Sequence, residues 1–156
     1  MKKAIRLSGL IFMALFPLLI PNLGLTQGVI EKRQKLMESN LDALKAIRVG
    51  EKEKDYATVQ VKAKEIVDNL SKVLDLFPKG SISEKSEAHP AIWDKWDEFS
   101  KQSVKARATA EALRKAAEAK DEAQINVQVK AIGGMTSGAC GECHLSFNKK
   151  RMKKGN

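Results

Sequence analysis

The chain predicts an all-α domain, an antiparallel up-down-up-down four-helix bundle, on three observations. Apolar residues recur at steps of three and four through most of the sequence, the breaks between those stretches carry helix caps and stops, and strand-like alternation occurs at one place only. That alternation, Ile125 to Val129, has no partner strand elsewhere, so it is read as helical.

Ahead of the bundle, residues 1–26 read as a secretory signal peptide. Lys2, Lys3 and Arg6 form its positive start, Leu7 to Ile20 is apolar with no acidic residue, and Pro21, Asn22 and Gly24 follow, with cleavage expected near Thr26-Gln27. Fourteen residues interrupted by Pro17 fall short of the roughly twenty that span a bilayer, so no stable membrane span is expected in the mature chain. No cysteine follows the leader to carry a lipid. Residues 27–156 then form one domain with one core, placed by export in the periplasm.

The first helix is expected from about Val29 to Arg48, with Ile30, Met37, Leu41, Leu44 and Ile47 along one stripe and Gly50 as its stop. Asp55 caps a second helix whose stripe runs from Tyr56 through Val59, Ala63, Ile66, Val67, Leu70, Val73 and Leu74 to Phe77, where Pro78 ends it. Residues 78–89 are rich in turn formers and make the longest connection. His89, before Pro90, is expected to be a polar surface residue, and Pro90 the first residue of a third helix. That helix carries Ile92, Trp93, Trp96, Phe99, Ala106, Ala110 and Leu113 on one side, the two tryptophans as core packing. Asp121 with Gln124 reads as a capping box that starts the fourth helix after a tight turn near Lys120. Gly133 and Gly134 interrupt this last helix, either as tolerated helix glycines or to let a flat ligand approach closely.

The fourth helix ends in the chemistry. Cys140-Gly141-Glu142-Cys143-His144 has the C-x-x-C-H spacing at which haem c is covalently attached. On a helix the two thiols and the imidazole fall on one face, so one turn supplies two thioether anchors, Cys140 and Cys143, and a proximal iron ligand, His144. A thioredoxin-like pair would need a βαβ setting, and zinc would need carboxylates to complete four ligands, because His89 is the only other histidine and no further cysteine exists. In an antiparallel bundle Met37, about eight residues into the first helix, and His144, six to ten from the end of the fourth, both lie roughly 10–15 Å from the same end. The haem is therefore expected to face the first helix near Met37.

With these residues in place the chain resembles the class II cytochromes c, meaning cytochrome c prime and its low-spin, methionine-ligated relatives. Arg33-Gln34-Lys35-Leu36-Met37, Phe77-Pro78, Pro90-Ala91-Ile92-Trp93 and the terminal Cys140 to His144 carry the resemblance across essentially the whole mature chain. It implies one covalent haem c in the bundle and two branches that part at Met37. As the distal iron ligand, Met37 gives a six-coordinate electron carrier; as core packing, it leaves a five-coordinate protein that takes nitric oxide or carbon monoxide. Arg33, one turn earlier, is either a haem propionate partner or a solvated surface arginine. Four residues beyond His144, where cytochrome c prime shows an arginine, this chain has Asn148. Homodimers are common in the family, although no stripe here looks surplus to the core.

Composition bounds the partners. The leader holds three of the nine net positive charges, and Lys149, Lys150, Arg151, Lys153 and Lys154 supply five of the remaining six. This basic tail complements a helix terminus, or it steers an acidic redox partner protein. Only Phe147 interleaves aromatic character, so nucleic acid is not an expected partner. Enzyme chemistry would need polar acid-base groups opposite the iron, where the first helix offers mainly apolar side chains. Aromatics are 5% of the chain, so a buried porphyrin supplies large apolar surface that Phe and Trp would otherwise provide.

Overall fold

The structure, a computed structural model, describes residues 23–134 and 136–152. Most of the expected leader, together with Lys153 and Lys154 of the tail, lies outside the described residues. Six helices follow in order: α1 (Leu23–Glu53), α2 (Tyr56–Leu70), α3 (Ala91–Asp94), α4 (Trp96–Glu118), α5 (Glu122–Ile132) and α6 (Gly138–Phe147). They build the expected bundle, with α1, α2 and α4 as three rods and α5 with α6 as a broken fourth. No helix among the described residues is long and apolar enough to cross a membrane.

The tight turns between rods share one device. Lys54 (φ 59°) follows α1 and Lys120 (φ 53°) follows α4, each in the left-handed region. Around them Asp55 N donates to Gly50 O (2.8 Å) and Lys54 N to Glu51 O (3.3 Å), while Asp121 N donates to Ala116 O (2.9 Å) and Lys120 N to Ala117 O (3.1 Å). These paired bonds are Schellman closures. The aspartate after each lysine caps the next helix, Asp55 accepting from Thr58 N (3.1 Å) and Asp121 from Gln124 N (3.0 Å). Gly50 is thus no stop: it lies buried inside α1, which runs on to Glu53. The capping box is also only half made, because the Asp121 amide is taken by Ala116.

Two expected helices are broken. α2 ends at Leu70, and a 3-10 turn at Leu74–Leu76 carries Val73 and Phe77 onward into the core. Ser71 Oγ donates to Asp68 O (2.7 Å), and i→i+3 bonds such as Lys72 N to Asn69 O tighten the chain there. The expected third helix parts at Lys95 (φ −120°, ψ 44°) into α3 and α4. Trp93 is half-buried and donates to Phe77 O (3.1 Å), whereas Trp96, expected in the core, is 37% exposed at its edge. Residues 125–129 are helical, as read.

The core joins Ile47, Val59, Ala63, Ile66, Ala110, Leu113, Ile125 and Ile132, each at most 1% exposed. Of the expected α1 stripe, Ile30, Leu44 and Ile47 are buried and Met37 is half-buried against the core, whereas Leu41 faces outward; the buried face also takes in Arg33, Leu36, Asn40 and Ala43. Asn40 is admitted because Asn69 of α2 donates to its Oδ1 and to Ser39 Oγ (2.9 Å each), and Ser39 in turn donates to Glu65 (2.7 Å). A buried polar group paired this way fixes the register of α1 on α2.

Candidate haem-attachment site

α5 stops at Gly133, whose φ of 67° suits glycine alone, and a Cβ there would lie 2.0 Å from the Ser137 carbonyl oxygen. Gly134 N donates to Ser137 O (3.0 Å), closing a compact turn that leads into α6. Gly141, inside the motif, takes the backbone of Thr136 so closely that a Cβ would meet its carbonyl carbon at 2.5 Å. These glycines serve close approach of the chain to itself. His144 is three residues from the end of α6 and Met37 fourteen from the start of α1, so the continuous fourth helix assumed from sequence is corrected to a ten-residue helix of its own.

Register along α1 comes from two contacts. Asn126 Nδ2 donates to Glu51 Oε1 (3.0 Å) and Arg48 Nη2 to Gly133 O (3.3 Å). At the far end of α6, Phe147 packs edge-on against Phe99 (5.4 Å), which packs likewise on the Phe77 ring beneath Arg33 of α1 (4.8 Å). α6 packs chiefly on α4 and less on α5, and α1 is not one of its substantial packing partners.

Cys140 and Cys143 are half-buried against the core. Burial pushes the Cys140 thiol up to about 11, and burial with the neighbouring Cys140 pushes Cys143 up to about 12, so both are protonated at neutral pH. Burial likewise lowers His144, with Arg151 adding to the effect and Glu87 opposing it. The imidazole is therefore neutral, and its buried Nδ1 has no hydrogen-bond partner among the described residues. A neutral imidazole is the form that ligates a transition metal. Among the described residues no group of three or more His, Cys, Asp or Glu side chains is arranged to hold a metal ion.

Arg33 is not a surface arginine. It is 6% exposed, its donors go to Leu76 O, Ser81 O and the Ser81 hydroxyl, and its guanidinium lies 4.0 Å from the centre of the Phe77 ring. Desolvation lowers its pKa to about 10, and no carboxylate among the described residues compensates the charge. A haem fits this site: it offers carboxylates to a buried cation, an iron to a neutral imidazole and two carbon partners to a pair of protonated thiols.

His89 departs from its expected role as a plain surface residue. Its Nδ1 accepts from Ala91 N (3.1 Å), and its own amide donates to Phe147 O (2.8 Å), so it fastens the start of α3 to the end of α6. Asn148 gives its amide to Glu87 (3.1 Å). Ser81 and Glu87 escaped the sequence reading, since both sit in an aperiodic, turn-rich connection where no spacing marks them.

A four-helix bundle that presents two thiols and a neutral imidazole on one terminal helical turn defines a c-type cytochrome of the bundle class. A family profile described as Cytochrome C′ matches residues 28–148. The chain belongs to the cytochrome c′ family, as a haem electron-carrying protein with one covalent haem c. It is 34% identical over 127 residues to cytochrome c-556 of Agrobacterium fabrum (strain C58), covering 80% of this chain and 83% of that protein. With cytochrome c′ of Rhodospirillum rubrum it shares 31% over 121 residues, 76% of this chain and 80% of the relative. The structure of cytochrome c prime from Shewanella frigidimarina superposes with a TM-score of 0.71 at 23% identity, covering 80% of this chain and 96% of that one, and this likeness shows the fold.

Proposed function

We propose that this chain is an exported, periplasmic electron carrier whose iron is held by His144 and Met37, with Cys140 and Cys143 as thioether anchors and Arg33 as a propionate partner. The observation that carries the reading is the pairing on α1 of a buried cation lacking a carboxylate, Arg33, with the half-buried Met37 one turn away. When bound, the haem supplies a one-electron iron couple. His144 contributes a neutral imidazole from a helix set into the bundle, and Met37 a thioether from a second helix, so both ligands are held by regular structure and little rearrangement accompanies electron transfer. Asn148, committed to Glu87, leaves no arginine four residues past His144, which favours electron transfer over gas binding on that face. The partner on this reading is an acidic redox protein drawn by Lys149 and Lys150 at the end of α6.

The alternative is a five-coordinate protein that binds nitric oxide or carbon monoxide, favoured by the packing of Met37 against the core, where it fills space without ligating. Absorption spectra of the purified holoprotein separate the two. Met37 ligation predicts a low-spin ferric spectrum with a sulfur-to-iron charge-transfer band and slow carbon monoxide binding by the ferrous form; Met37→Leu abolishes the band and opens the site. A high-spin spectrum that Met37→Leu leaves unchanged overturns the first reading.

A further inference from the structure

The connection between the 3-10 turn and α3 is gripped at both ends. At its start Arg33 of α1 donates through Nε to Leu76 O (2.5 Å), through Nη1 to Ser81 O (2.8 Å) and through Nη2 to the Ser81 hydroxyl. At its end residues 86–89 run antiparallel to the chain leaving α6. Ala88 opposes Asn148, Lys149 N donates to Glu87 O (2.8 Å) and His89 N donates to Phe147 O (2.8 Å). The Glu87 carboxylate accepts from Asn148 Nδ2 (3.1 Å) and Lys150 Nζ (2.5 Å), and Lys149 Nζ reaches Ser86 O (3.1 Å).

The stretch between these grips is not slack. Ser81 N donates to Pro78 O (3.0 Å), Ile82 N to Gly80 O (2.8 Å) and Ser86 N to Ser83 O (3.1 Å), and both Ser81 and Ser86 are buried. One short, internally bonded segment therefore holds α1 one turn before Met37 and holds the chain three to six residues after His144. α1 and α6 are not substantial packing partners, and besides this segment the rings of Phe77, under the Arg33 guanidinium, Phe99 (4.8 Å from Phe77) and Phe147 (5.4 Å from Phe99) bridge toward the end of α6.

We infer that residues 76–89 are a cross-tie that sets the spacing between the helices bearing Met37 and His144, with Arg33 and Glu87 as positioning residues at its two ends. This rests on the reading of those two side chains as the axial pair. Neither positioning residue needs to touch the iron. Arg33 can hold a propionate with its remaining N–H groups while three others hold the segment, since a guanidinium has five donors.

The test uses holoprotein carrying Arg33→Lys, Glu87→Gln or, as a milder change that removes one hydroxyl, Ser81→Ala. Amide hydrogen exchange is followed at Lys149 and His89, with Ala110 in the middle of α4 as the reference for global opening. The cross-tie predicts that Arg33→Lys and Ser81→Ala accelerate exchange at Lys149 and His89 by about tenfold while Ala110 is unchanged, although the hydrogen bonds of Arg33 go to Leu76 and Ser81. It also predicts that Glu87→Gln weakens the sulfur-to-iron band and speeds carbon monoxide binding on the opposite face. Exchange at Lys149 within about twofold of the parent in both the Arg33 and Ser81 variants overturns the cross-tie. A Glu87→Gln protein with an unaltered band does the same. If the parent shows no such band, the axial reading has failed and the exchange measurement alone still decides the cross-tie.

Discussion

Buried polar side chains on α1 set its orientation as firmly as the apolar ones do. Arg33 and Asn40 are 6% and 8% exposed, and each is admitted to the interior by named partners on the chain that follows α2 or on α2 itself. This is why the hydrophobic stripe misjudged the helix: it placed Leu41 inward, although Leu41 is 40% exposed, and passed over two polar positions that face the core. Where burial is purely apolar the pattern held, and Ile47, fully buried, illustrates it. Replacing Ile47 by alanine is expected to cost about 2–5 kcal/mol in denaturant unfolding, the range for a truncated core isoleucine. Glu87 gives a pH signature. Lys150 and Asn148 hold its carboxyl below the ordinary 4.5, so its contribution is complete above that value and is lost as pH falls through the lower, folded value. Chemical denaturation between pH 7 and 3 is expected to show a smaller acid loss in Glu87→Gln than in the parent, and parallel curves would refute this.

At the scale of elements, the two Lys-Asp turns explain how short links reverse the chain. A lysine in the left-handed region is strained where glycine would be relaxed, so each closure costs some stability. Lys120→Gly is therefore expected to stabilise the protein by about 0.5–1 kcal/mol in the same unfolding assay. Lys54→Gly should gain less, because Lys54 also pairs with Glu122 at 3.0 Å. The caps at Asp55 and Asp121 were legible because they obey a local rule. The end of α2 and the break between α3 and α4 were less so. Val73 and Phe77 keep helical spacing through a 3-10 turn, so periodicity cannot see the change of hydrogen bonding, and the break at Lys95 carries no glycine or proline to mark it.

For the whole molecule, the architecture and the motif that defines the site were readable because both depend on near-neighbour spacing. The grip of residues 76–89 on two distant helices was not, since it is made by carbonyls, a serine and a glutamate that no sequence period distinguishes. The thin packing between α1 and α6 carries a prediction of its own. Cys140→Ser with Cys143→Ser, made without attached haem, is expected to show lower helicity and a broader thermal transition by circular dichroism than the holoprotein. An unchanged transition would mean that the protein core is complete by itself. The basic end of the chain adds a kinetic expectation: electron exchange with an anionic iron complex should slow as sodium chloride is raised, and exchange with a cationic cobalt complex should not.

The break between α5 and α6 bears on which rod the terminal motif answers to. Cys140, Cys143 and His144 ride on a ten-residue helix seated chiefly on α4 and less on α5. The motif therefore takes its place mainly from α4, so a displacement of that rod carries the motif with it more than a displacement of α1 does.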